Sequence, residues 1–162
     1  MHRKLSRLIV TPLVTVAAAS LSVGVAHAVP WNSVDLFPPK DPVETPFCSI
    51  DYVDPNDFGR FDSSDVTVSS PAPGQVTFTF HTHSQSAAPY TQRAHVVWAN
   101  LDTGFSGVGE ATARIDAGDT IIELPVQNTE PGRITAVTGV TNTADNGQNV
   151  TYYDCSTEYT VP

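Results

Sequence analysis

Positive charge is scarce in this chain. Its 162 residues include eight Lys and Arg against 17 Asp and Glu. Three of the basic residues, Arg3, Lys4 and Arg7, precede position 28, so the remainder holds five basic and 17 acidic residues and a formal charge of −12. Such a balance repels phosphate backbones and anionic headgroups, which argues against nucleic acid or lipid headgroups as partners and keeps a protein soluble outside the cell. Also absent are internal repeats, low-complexity blocks and, beyond the first 28 residues, any sustained helical period. Without that period the body of the chain has no amphipathic helix with which to build a core.

The first 28 residues stand apart. Arg3, Lys4 and Arg7 lead into an uncharged run from Leu8 to Val25 and then Ala26-His27-Ala28. A basic start, an apolar middle and a small-x-small end are the parts of a secretory signal peptide, with cleavage expected before Val29. The competing reading is a membrane anchor, which an uncharged run of about 18 residues reaches only at its lower limit. The run is rich in Ala, Ser and Thr rather than Leu and Ile. No cysteine follows the cleavage site to carry a lipid, and Arg3-Lys4 is not a twin arginine. The expected location is therefore the medium or the cell envelope, with no stable membrane insertion after cleavage.

In an oxidising compartment a single pair of cysteines in a small domain is most often a disulfide. Cys48, Ile50 and Tyr52 alternate along one stretch, and Tyr153, Cys155, Thr157, Tyr159 and Val161 along another, so a Cys48–Cys155 bond would join the first strand to the last. Residues 29–44 contain Pro30, Pro38, Pro39 and Pro42. Proline at that density fits an extended arm and neither a helix nor a central strand. Trp31 and Phe37 in this arm are candidates for packing on the body or for touching a partner.

Residues 45–162 are expected to form one domain. Val66 and Val68 alternate with Thr67 and Ser69, Pro71–Gly74 reads as a turn, and Val76, Phe78 and Phe80 alternate with Gln75, Thr77 and Thr79. Further strands are expected at Arg93–Leu101, Gly109–Ile115, Thr120–Val126, Arg133–Thr141 and Gln148–Val161, the last two joined through Asn146-Gly147 in a type I′ turn. Seven or eight short strands point to an all-β antiparallel sandwich of the immunoglobulin-like kind. The Cys-Trp-Cys order of antibody domains is present through Trp98, but the cysteines lie at the ends of the domain and not on two inner strands. Trp98-Ala99-Asn100-Leu101-Asp102-Thr103-Gly104, followed by Ser106-Gly107 and a late cysteine, resembles small secreted immunoglobulin-like proteins of actinobacteria. That resemblance implies a fold and a location and no reaction.

Four constellations bear on chemistry. His81 and His83 project from one face of a strand and are the candidate metal ligands, with His95 a third if the two strands form a simple hairpin. Asp54–Asp65 has the skeleton of a calcium loop, with Phe58 and Asp65 departing from its pattern; a turn-rich loop with exposed carboxylates is the plainer reading. Gly104–Gly109 resembles a phosphate loop or a nucleophile turn but lacks the following helix, and Val108 stands two residues after Ser106 where the nucleophile turn needs glycine. No spacing favours a Ser-His-Asp triad, so no catalytic residue and no cofactor is assigned. The expected function is a secreted binding or structural module with an extracellular or envelope partner. An envelope metal-binding protein is the alternative, and a hydrolase of envelope polymers the third reading.

Overall fold

The computed structural model describes residues 42–162. The signal segment, most of the proline-rich arm and both Trp31 and Phe37 lie outside them.

Nine strands form two antiparallel sheets. The first is built from β1 (Thr45–Asp54), β2 (Asp57–Ser69), β3 (Gln75–Ser84) and β6 (Gly118–Glu123), with the two-residue β7 (Gln127–Asn128) also pairing β3. The second runs β5 (Ser106–Ile115), β4 (Tyr90–Asn100), β8 (Gly132–Ala144) and β9 (Asn149–Val161). The path β2-β3-β6 with β5-β4-β8-β9 reproduces the A-B-E and C′-C-F-G orders of an immunoglobulin-like sandwich, to which β1 adds an outer strand. Eight strands of six or more residues match the expected number.

Alternation explains which faces are buried. Val66 and Val68, then Val76, Phe78 and Phe80, then Ala94, Val96 and Trp98 turn inward and close the core between the sheets. Pro73 and Gly74 sit at the corners of a turn closed by Gln75 N–H donating to Ala72 O at 3.0 Å, and Gly74 takes φ +73°. Proline then positive-φ glycine is the pairing a type II turn requires. The Asn146-Gly147 hairpin forms, but its turn is not type I′. Among the described non-glycine residues only Glu130 has positive φ, whereas type I′ demands it of both central residues. Gly147 N–H instead donates to Ala144 O, and Ala144 N–H to Gln148 O, each at 2.9 Å. One positive-φ position, Gly147 at +86°, suffices for this three-residue loop.

Cys48 and Cys155 are joined. The bond links β1, outermost in the first sheet, to β9, outermost in the second, and so closes one side of the sandwich. Trp98 has a different partner from its antibody counterpart. Its indole lies over Gly107 of β5, where an added Cβ would come within 2.7 Å of Cζ2, and its N–H donates to Gln127 Oε1 at 3.2 Å.

A polar seam crosses the core. Asp62 accepts hydrogen bonds from Ser84 Oγ (2.9 Å), Gln85 N–H (2.8 Å) and Tyr90 OH (3.2 Å). Tyr90 OH lies 3.1 Å from Tyr52 OH, and Gln92 Nε2 donates both to Tyr52 OH (3.0 Å) and to Asn142 Oδ1 (2.9 Å). Burial pushes the Tyr52 and Tyr90 phenols up, which keeps both protonated as donors. These bonds tie three strands of one sheet to two of the other and satisfy most of the buried polar atoms in the seam, Asn142 Nδ2 being the exception.

Candidate functional site

His81 and His83 project from the outer face of the first sheet, opposite Phe78 and Phe80, as their alternation requires. Each is already engaged. His83 Nδ1 lies 2.8 Å from Asp119 Oδ1, and its Nε2 lies 3.5 Å from Asp65 Oδ2. The Asp119 hydrogen bond, reinforced by the charge of both carboxylates, raises the His83 pKa above the usual histidine value of 6.5. Both of its ring nitrogens thus face a carboxylate. His81 Nε2 lies 3.3 Å from both Thr67 Oγ1 and Glu44 Oε2. Because hydroxyl and carboxylate share one ring nitrogen, this trio lacks the two-sided relay in which a histidine takes a proton at one nitrogen while an acid holds the other. His95 belongs to β4 of the opposite sheet, so it does not join His81 and His83. Among the described residues no three His, Cys, Asp or Glu side chains converge as a metal would need.

The His83 arrangement has a consequence in solution. Its contribution to stability should be complete below about pH 6.5 and fade as pH rises through the higher folded-state midpoint. An NMR titration should place the His83 midpoint above 6.5, and Asp119→Asn should lower it. Midpoints equal in the two proteins would count against the pairing.

The acidic segment is a strand and not a loop. Asp54 Oδ1 accepts from Asn56 N–H at 2.7 Å in a tight turn, and β2 begins at Asp57. Along β2 successive side chains point to opposite faces, so Asp57, Asp62 and Asp65 cannot gather around one ion. Asp62 is instead part of the buried seam. The Gly104–Gly109 stretch is likewise a turn, with Gly104 at φ +81°, running into β5.

The outer face of the second sheet carries a feature that residue types alone do not disclose. Val97 of β4 pairs with Val108 of β5 on one side and Val137 of β8 on the other. The three form a row across three strands with exposures of 52%, 73% and 36%. His95 lies one step along β4, between Glu110 and Gly139. Beside it, the pairing of β8 with β9 shifts by a residue, so that Tyr153 and Asp154 stand opposite the single residue Gly139. This bulge turns Tyr153 outward, 55% exposed, and not onto the inner face that unbroken alternation from Cys155 implies. Its ring packs on His95 with centroids 4.5 Å apart. Glycine is required beneath them, because a Cβ at Gly139 would collide with the Tyr152 carbonyl and come within 2.7 Å of His95 Nε2.

The result is a shallow depression of about 270 Å³ lined by Val97, Val108, His95 and Tyr153 and edged by Arg93 and Glu110. Burial, then the nearby Arg93 charge, lowers the His95 pKa, so the imidazole adds no charge at neutral pH. Each arginine on this face is paired: Arg93 with Glu110 at 3.8 Å, Arg133 with Glu158 at 3.6 Å, and Arg114 with both oxygens of Asp145 at 2.6 Å. The face is thus apolar at its centre, and its rim is charge-paired apart from Asp154 in the bulge. It offers shape and apolar area, without a nucleophile held by a base.

Among the described residues no helix is long and apolar enough to cross a membrane. Compared with protein-family models, curated proteins and solved structures, the chain matches none.

Proposed function

We propose that the chain is an exported, non-catalytic module that works by contact, and that its contact surface is the outer face of β5-β4-β8-β9. The observation that carries this reading is the row Val108–Val97–Val137. Isolated apolar side chains on a surface need no explanation, but three in register across three strands, with an aromatic pair beside them, form a contiguous patch of the kind that marks interaction sites. A disulfide between the two outermost strands suits an oxidising compartment. The Arg3-Lys4-Arg7 start and the Ala26-His27-Ala28 site support export as a cleaved chain in the medium or envelope, in keeping with the resemblance to small secreted immunoglobulin-like proteins of actinobacteria. Contact is favoured over metal binding because, among the described residues, no three potential ligands converge around His81 and His83.

Photo-crosslinking tests the reading. A photoreactive residue replacing Val97 should yield a covalent adduct in the native medium or envelope, while one replacing Ile121, which is equally solvent-facing on the opposite sheet, should not. The recovered chain should begin at Val29. Absence of an adduct at 97, or equal adducts at both positions, overturns the assignment of the face.

A further inference from the structure

We infer that the occupant of the Val97 face is a second copy of the same chain, an inference that rests on the contact reading above. The argument is electrostatic first. Residues 42–162 hold 15 Asp and Glu and four Arg; outside the three pairs on this face, twelve carboxylates face a single arginine, Arg60. Two such molecules repel through almost any other approach. The outer face of the first sheet, for example, presents Glu44, Asp65, Asp119 and Glu123, and among the described residues no lysine or arginine pairs with any of them. A basic partner would be drawn there. On the Val97 face each rim arginine already has its carboxylate, which leaves Asp154, beside Tyr153 in the bulge, as the carboxylate outside those pairs, so two copies meet there with far less like charge than on the other sheet.

Size and shape agree. Four strands about 4.8 Å apart, with the eleven-residue β4 rising about 3.3 Å per residue, span roughly 700 Å², close to the roughly 800 Å² per partner of a standard interface. The centre holds β-branched side chains standing off a pleated sheet, which is the surface by which sheets stack about 10 Å apart. Tyr153 adds a large ring with a polar tip, and His95 beneath it is neutral, so neither must shed a charge on closing.

Analytical ultracentrifugation of the purified chain tests this. A concentration-dependent dimer is expected in the ~1–100 µM range. Val97→Glu should weaken it by about 30-fold or more, as for a central interface position. Val108→Glu should do the same, and both should keep the wild-type thermal midpoint when it is measured below the dimerisation range, because these side chains are exposed in the single chain. Ile121→Glu should leave the dimer intact. Raising the salt should tighten association by screening the repulsion between two acidic molecules, whereas a complex held by opposite charges would loosen. A wild-type chain that stays monomeric across this range overturns the inference, as does a dimer indifferent to both glutamates or weakened by salt. A monomer that still gives a photo-adduct at 97 with a different protein defeats the self-association alone and leaves the contact face standing.

Discussion

Replacing Cys48 and Cys155 together by alanine should lower the unfolding free energy by about 4 to 5 kcal/mol, the chain-entropy value for closing a loop of roughly this length. The two residues are 107 apart in sequence, so the bond restrains nearly the whole domain in the unfolded state. A domain of this size is stable by only about 5–15 kcal/mol, and the loss therefore approaches the whole margin. The position of the bond adds a native-state reason. Side by side, β1 and β9 are the outermost strands of separate sheets, with no ladder between them, and Tyr152 OH accepting from Val53 N–H at 3.4 Å is a long bond. Freed from the cystine, this side can open first. Guanidinium unfolding of the double variant should show a much lower midpoint and a steeper dependence on denaturant, since an unlinked chain exposes more surface. An unchanged midpoint would mean that packing alone holds β1 against β9.

The fold was legible wherever one side of a strand is buried and the other is wet. Val66, Val68, Phe78 and Phe80 announce their strands because period two leaves them no other common face. Legibility failed where the period breaks. Tyr153 shares parity with Cys155, and only the inserted residue opposite Gly139 sends it outward; an isolated glycine among the β-branched residues of Thr135–Thr141 was the available signal. The Val97 face was hidden for another reason. Val96-Val97-Trp98 is apolar on both sides, and the alignment of Val97 with Val108 and Val137 is a matter of register between strands far apart in sequence.

Polar residues misled in the opposite sense. Asp62, Ser64, Thr82 and Ser84 look like surface residues by type, yet they are in phase with Val66, Val68, Phe78 and Phe80 and are buried with them. Phase was the better guide than polarity. Their inward position is tolerable because Gln92 and the two tyrosines reach across from both sheets to satisfy them, which makes the seam a device for fixing how the sheets sit on each other. The same phase argument removes Asp62 from any surface ion site, so the acidic segment loses its central ligand.

The second large effect should come from Asn100, which is buried at the end of β4 and binds the chain on both sides of it. Its Oδ1 accepts from the N–H groups of Asp102 (2.9 Å) and Thr103 (3.1 Å), which shapes the turn into Gly104. Its Nδ2 donates to Thr129 O at 2.9 Å, with Glu130 O and Pro131 O each at 3.3 Å, which holds the segment before β8. Asp102 continues the clamp by accepting from Arg133 N–H at 2.8 Å. The Trp98–Gly104 stretch thus has a structural account: Trp98 covers β5, Asn100 and Asp102 join two loops, and Gly104 supplies the positive φ. Asn100→Ala should cost about 3 kcal/mol, since it deletes three good hydrogen bonds and leaves the buried Thr129 carbonyl without its side-chain donor. In a domain of this size that lowers Tm by roughly 10 °C. Asn100→Asp separates the two halves of the clamp, because the carboxylate can still accept from residues 102 and 103 but turns an acceptor toward the three carbonyls. It should be as damaging as alanine near neutral pH and recover part of the loss in mild acid, where the protonated form can donate again. Two variants of equal Tm to the wild type would show that the loops hold their shape without Asn100.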